Sequence, residues 1–149
     1  MVERSVTSTA DLLFALEKLF VPEPFPGIAA EHECLECEAI RSTFARKAWT
    51  ELSHFHLTEH DGALPLLTPD AYQAFFPAWI RAALEDPEGS IATMALIDME
   101  ATDLQSVFSP EQRRFLVECA MKIHGGDTFA IQDAECIKRI QNICTRWAV

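Results

Sequence analysis

Apolar residues recur along this chain at spacings of three and four, and glycine is absent from the stretches where they do so. That period gathers side chains on one face of a helix rather than on alternate faces of a strand. Gly27, Gly62, Gly89, Gly125 and Gly126 all fall between the periodic segments and mark their breaks. Asp11 to Phe20 puts Leu12, Leu16, Leu19 and Phe20 on one stripe, with Ser8 and Asp11 as a capping pair. Pro22, Pro24 and Pro26 then fix an extended connector over residues 21–30. A second helix is predicted from near Glu31 to Ala48, with Ile40, Phe44 and Ala48 inward. Trp49 to Leu57 either extends that helix or starts another.

Thr68-Pro69-Asp70 reads as an N-cap, a proline at the first helical position and an acid on the positive end of the dipole. The helix it opens carries Tyr72, Phe75, Phe76, Trp79, Ala83 and Leu84 inward, and Pro77 should kink or divide it by removing a backbone donor. Ile91 to Leu104 is predicted as a shorter helix carrying Met94, Ile97 and Leu104. Ser109-Pro110-Glu111-Gln112 has a hydroxyl cap, a proline and a glutamine at the capping-box position. Phe115, Leu116, Cys119, Ala120 and Ile123 form the apolar face of that helix, and Gly125-Gly126 stops it. The last helix runs from about Ile131 to Trp147 with Ile137, Ile140, Ile143, Cys144 and Trp147. No segment alternates as a strand does, and no repeat or low-complexity tract divides the chain. The prediction is one all-α domain of five to seven helices over residues 1–149, frayed over 1–6.

Composition narrows the function. Of the 149 residues, 49% are hydrophobic and 23% charged, enough apolar material for a packed core. Twelve basic residues against 23 acidic ones give a net charge of −11. Both halves are acidic, so the chain repels phosphate backbones and anionic leaflets; neither nucleic acid nor a membrane is expected as partner. A basic protein, or cations, is the electrostatic complement. Met1 to Ala10 lacks the basic start and apolar stretch of a signal peptide, and no apolar run approaches the roughly 20 residues of a membrane span. Five cysteines are an odd number for a closed disulfide framework; free thiols in a reducing cytosol are the expectation.

The densest polar cluster is Glu31-His32-Glu33-Cys34-Leu35-Glu36-Cys37-Glu38. A Cys-x-x-Cys pair at a helix start is a redox pair or half a zinc site, with His32 as a third ligand. A redox thiol wants positive surroundings, and the four glutamates oppose that although the helix end favours it. Zn2+ would accept the same acids, with His32, His54 or His56 completing a site with Cys34 and Cys37 that pins the second helix. Positions 34, 37, 40/41 and 44 also make a plain helical stripe, so both cysteines fit as core residues.

His56-Leu57-Thr58-Glu59-His60 matches a zinc-hydrolase spacing, but it runs straight into Asp61-Gly62 and reads better as a solvent-facing helix end. Cys119, Cys136 and Cys144 sit on apolar faces, and Trp49, Trp79 and Trp147 at core spacing. No phosphate-binding loop, dinucleotide fingerprint or serine elbow occurs, and no catalytic residue is assigned.

His32-x-Cys34-x-Glu36-Cys37, Trp49, Leu67-Thr68-Pro69-x-Ala71-Tyr72 and Phe76-Pro77-Ala78-Trp79-Ile80 together resemble an uncharacterised bacterial family of small helical domains. The resemblance spans about residues 30–125, and the Pro-Ala-aromatic-aliphatic element is its most specific part. It implies a small helical cytosolic protein in which Cys34 and Cys37 matter beyond packing; it carries no activity with it.

Two function classes follow. The first is an acidic protein-binding module, of the kind in which an immunity protein neutralises a basic nuclease toxin, with Glu31, Glu33, Glu36 and Glu38 at the contact rim. The second is a zinc-binding or thiol-based sensor or enzyme built on His32, Cys34 and Cys37.

Overall fold

A computed structural model describes residues 7–126 and 134–149. The expected frayed terminus 1–6, the start of the last helix over 131–133 and the side chain of Cys136 lie outside the described residues. The described chain is all-α: α1 (Thr9–Leu19), α2 (Leu35–Phe44), α3 (His54–Glu59), α4 (Pro69–Glu85), α5 (Ser90–Ala101), α6 (Pro110–Gly126) and α7 (Ala134–Arg146). Short 3-10 turns at Trp49–Glu51, Leu64–Leu66 and Gln105–Val107 join them. The only β pairing among the described residues is an isolated antiparallel bridge between Ala30 and Leu67.

α4 is the centre of the fold because it is apolar nearly all round. It buries Tyr72, Phe75, Phe76, Trp79, Ile80 and Leu84 among others, and packs against α1, α5 and α6. Thr68 caps it, its Oγ1 accepting from the Ala71 N–H at 3.2 Å. Two aromatic groups grow from its sides. Phe75 meets Phe44 and Phe25 edge-on at 5.0 and 5.3 Å. On the other side Tyr72 and Phe76 stack, and Phe108 and Trp147 close over Phe76 at 6.2 Å each.

Three helix starts form as the sequence predicts. Ser8 accepts from the Asp11 N–H, Thr68 caps α4, and Ser109 and Gln112 form a reciprocal box at 3.0 and 3.1 Å. Gln112 also donates through Nε2 to the Leu19 carbonyl at 3.0 Å, tying the start of α6 to the end of α1.

Other expectations are corrected. The second helix is shorter than Glu31–Ala48: Cys34 is its extended N-cap and it ends at Phe44. Arg46 beyond it takes the left-handed conformation, φ 59°, which no helix continues through. Of the two alternatives left open for Trp49 to Leu57, the separate helix is the one that forms, capped by Ser53. Pro77 does not divide α4, which runs unbroken from Pro69 to Glu85 with Pro77 buried. α5 buries Ile91, Ala92, Ala95 and Met99, while Ile97 stays 40% exposed and Leu104 lies past the helix end. Its apolar side chains surround the whole helix, so packing against α4 and α7 rather than the sequence pattern selects the buried face. On α7 the inward residues are Ile143 and Trp147, and Ile137 is largely outside.

Candidate functional site

The approach to α2 is fixed by the cap of α4. Thr68 donates through Oγ1 to the Ile28 carbonyl and through its N–H to the Ala29 carbonyl, at 3.0 and 2.9 Å. With the Ala30–Leu67 bridge, these bonds hold residues 28–30 against the start of α4. Arg41 reaches back from α2 and donates through Nη1 to the carbonyls of Ala30 and His32, both at 2.9 Å. The segment bearing Glu31 to Cys34 is therefore held at both ends.

Within that frame the two cysteines occupy opposite environments. Cys34 is exposed, in extended backbone (φ −137°, ψ 164°) at the N-cap of α2. Cys37, at the third helical position, is fully buried on the stripe that continues through Ile40 and Phe44. The Cys37 N–H donates to Cys34 Sγ at 3.3 Å, so a sulfur stands where a serine or threonine oxygen usually caps a helix.

This bond favours the Cys34 thiolate. The Cys37 backbone N–H holds its pKa below the ordinary thiol range, the Cys37 thiol and the Glu36 N–H help, and the Glu36 carboxylate opposes them weakly. Cys37 moves the other way, raised by donating to Cys34, by burial and by the Cys34 charge. The opposition read from the sequence, glutamates against the helix end, is present in the structure: backbone donors at the helix start lower the Cys34 pKa, while burial and the Glu36 carboxylate raise it. Glu31, Glu33, Glu36 and Glu38 are all exposed. The Leu35 side chain beside Cys34 is 85% exposed, far more than a leucine in a packed face.

The histidines go elsewhere. His32 and His54 are exposed. His56 closes the capping box of α3, its Nδ1 accepting from the Ser53 N–H at 3.0 Å while its own N–H donates to Ser53 Oγ. His60 is not the solvent-facing helix end expected from sequence; it is buried edge-on against Phe44, with Nε2 3.0 Å from Thr43 Oγ1. His56 and His60 consequently serve different neighbours, and the hydrolase spacing forms no site. Among the described residues no group of three or more histidine, cysteine or acidic side chains is placed to hold a metal. Of the proposed ligands His32, Cys34, Cys37, His54 and His56, Cys34 and Cys37 lie against each other, and among the described residues no third one joins them in a group that could hold a metal. Cys119 is buried on α6, its thiol pushed up by burial, as expected of a core cysteine. Cys144 is half-buried.

Two further features had no sequence signal. Tyr72 donates its hydroxyl to Asp98 Oδ2 at 2.6 Å, and burial pushes Asp98 up to about 6. Tyr72 itself is raised by burial and then by the Asp98 charge. An open groove of about 480 Å³ lies between the proline connector and α4, walled by Phe25, Pro26, Trp49 and Pro77 with Glu23 and Asp70 at its edge. Its interior polar groups are engaged: Trp49 Nε1 donates to the Phe20 carbonyl at 2.7 Å and Gln73 Nε2 to the Val107 carbonyl at 2.8 Å. Among the described residues no helix is long and apolar enough to cross a membrane.

No protein-family model, curated protein or solved structure matches the chain.

Proposed function

We propose that this protein is a thiol–disulfide exchange module, with Cys34 as the attacking thiolate and Cys37 as the resolving thiol. The observation that carries the reading is the asymmetry of the pair: an exposed N-cap sulfur that accepts the backbone N–H of a buried cysteine three residues on. A pair of packing residues would have both sulfurs inside, and a zinc pair would present both outward to further ligands.

The reaction balances with a disulfide R–S–S–R as oxidant. Cys34 thiolate attacks one sulfur, forming a Cys34–SR mixed disulfide and releasing RS⁻. Cys37 sulfur then attacks Cys34 Sγ, closing a Cys34–Cys37 disulfide and releasing the second RS⁻. The two protons given up by the cysteines neutralise the departing thiolates. The protein loses two electrons and the substrate leaves as two thiols. A reducing cytosol, which would return the pair to the dithiol, belongs to the same proposal.

Exposing reduced protein to hydroxyethyl disulfide tests this. Wild type should lose two hydrogens by forming the internal disulfide, and Cys37→Ser should stop at a mixed disulfide on Cys34. A stable mixed disulfide in wild type, or none in either protein, would sink the reading.

The second reading, an acidic binding module for a basic protein of the nuclease-toxin kind, is favoured by one observation: Leu35 stands exposed amid Glu31, Glu33, Glu36 and Glu38. An apolar anchor inside a charged rim is how protein interfaces are built. Failure to recover a stoichiometric basic partner at low salt would remove it.

A further inference from the structure

We propose that the disulfide exchanged at Cys34 is cationic, one flanked by lysine or arginine side chains or by amines, and that anionic disulfides are discriminated against. This rests on the thiol–disulfide reading above and names its substrate class. The argument is the charge around the one sulfur a substrate can touch. Cys34 follows Glu33 directly and is separated from Glu36 only by the exposed Leu35; Glu31 and Glu38 flank this stretch, and all four acids face water. Glu36 Oε2 lies 3.5 Å from where a side chain on Gly62 would begin, so the carboxylate reaches the turn that also carries the exposed Asp61. The cation nearest in sequence, Arg41, is two helical turns away, with Nη1 bonded to the Ala30 and His32 carbonyls.

A disulfide approaching Cys34 therefore meets the thiolate's own negative charge and a surround of carboxylates. Those charges lie close to the sulfur along the chain, and the Debye length is about 10 Å at 0.1 M salt, so they act on an approaching charged molecule. They leave the capped thiolate in place while favouring encounter with positive groups and repelling negative ones. Leu35 offers the apolar stem of a flanking lysine or arginine a surface to lie on.

The test compares oxidation of the reduced protein by cystamine, which carries two ammonium groups, by neutral hydroxyethyl disulfide and by the anionic glutathione disulfide. Each rate is divided by that of the same disulfide with a small neutral thiol, which cancels leaving-group chemistry. At low salt cystamine should exceed hydroxyethyl disulfide by about tenfold, and glutathione disulfide should fall below it by about tenfold. The spread should shrink with added salt and in Glu33→Gln/Glu36→Gln, where ratios between disulfides remain readable whatever the variant does to the thiol itself. Equal normalised rates, or the reverse order, with hydroxyethyl disulfide still closing the Cys34–Cys37 bond would overturn this inference and leave the exchange reading standing. No oxidation by any of the three would overturn both.

Discussion

The backbone N–H of Cys37 donates to Cys34 Sγ at 3.3 Å, and that bond is the largest of the causes that lower the pKa of the exposed thiol. It exists because Cys34 is the N-cap and Cys37 the third residue of α2, the two positions between which helices place a side chain to N–H capping bond. A Cys-x-x-Cys spacing and a capping spacing are the same interval. The glutamates that crowd the motif stay in water, and Glu36 opposes the thiolate less than the Cys37 N–H favours it.

The zinc reading makes a prediction of its own. Because no trio of ligands converges among the described residues, a chelator should leave the melting temperature unchanged. Scanning fluorimetry with and without EDTA checks this, and a clear fall in Tm with chelator would restore a metal role for Cys34 and Cys37.

Asp98 gives the protein a pH signature of known sign. Its carboxyl titrates near 6 in the fold against an ordinary 3.8, raised by burial while the Tyr72 hydroxyl pulls it down. The folded state takes up the proton first on acidification, so this group's contribution to stability is full below about 4 and is lost as pH rises to about 6. Asp98→Asn retains an oxygen acceptor for Tyr72 and removes the charge. At pH 7.5 it should be more stable than wild type by on the order of 2 kcal/mol, with the gap closing toward pH 4. Urea melts at the two pH values measure it, and a gap that does not depend on pH contradicts the assignment.

The box at the start of α6 should show unequal halves. Ser109→Ala loses the hydroxyl that receives the Gln112 N–H and should cost about 1 kcal/mol. Gln112→Ala loses the bond to the Ser109 N–H and the bond to the Leu19 carbonyl, and should cost more, about 2 kcal/mol. Equal losses in chemical denaturation would mean that the link between α1 and α6 adds nothing.

Trp147 closes the α5–α7 contact, fully buried over Phe76 and Phe108, with Nε1 donating to the Met99 carbonyl at 2.8 Å. Trp147→Ala should cost about 3–5 kcal/mol. Trp147→Phe keeps most of the ring area and should cost about half as much, the remainder being the orphaned carbonyl. A variant Trp147→Ala that melts like wild type would mean that α7 is not part of the cooperative fold.

What the sequence made legible was local. Ser8, Thr68 and Ser109 announce helix starts because the bond they make is to a backbone N–H two or three residues on, and nothing distant alters it. The inward face of α5 was not legible, because Ile91, Met94, Ile97 and Met99 point different ways and only packing on α4 and α7 chooses among them. Of the two effects expected of Pro77, division does not occur: one missing donor does not end a helix held by burial along its whole length. Tyr72–Asp98 and the burial of His60 are tertiary facts without a local trace. The cysteines are the instructive case. Placing the helix start at Glu31 rather than Leu35 turns Cys34 from a cap into an interior residue, so the favourable helix end was legible but the bond from the Cys37 N–H to the Cys34 sulfur was not.

Alkylation of Cys34 reads whether the capping donors or the surrounding carboxylates set the state of its thiol. The rate of iodoacetamide alkylation at Cys34 against pH, read by peptide mass mapping on the reduced protein, measures it directly. The midpoint should lie below the ordinary thiol value of about 8.5. It should rise in Cys37→Ala, which removes the thiol donor, yet stay below that value because the residue 37 N–H remains. A Cys34 midpoint at or above about 8.5 in the wild-type protein would contradict the account.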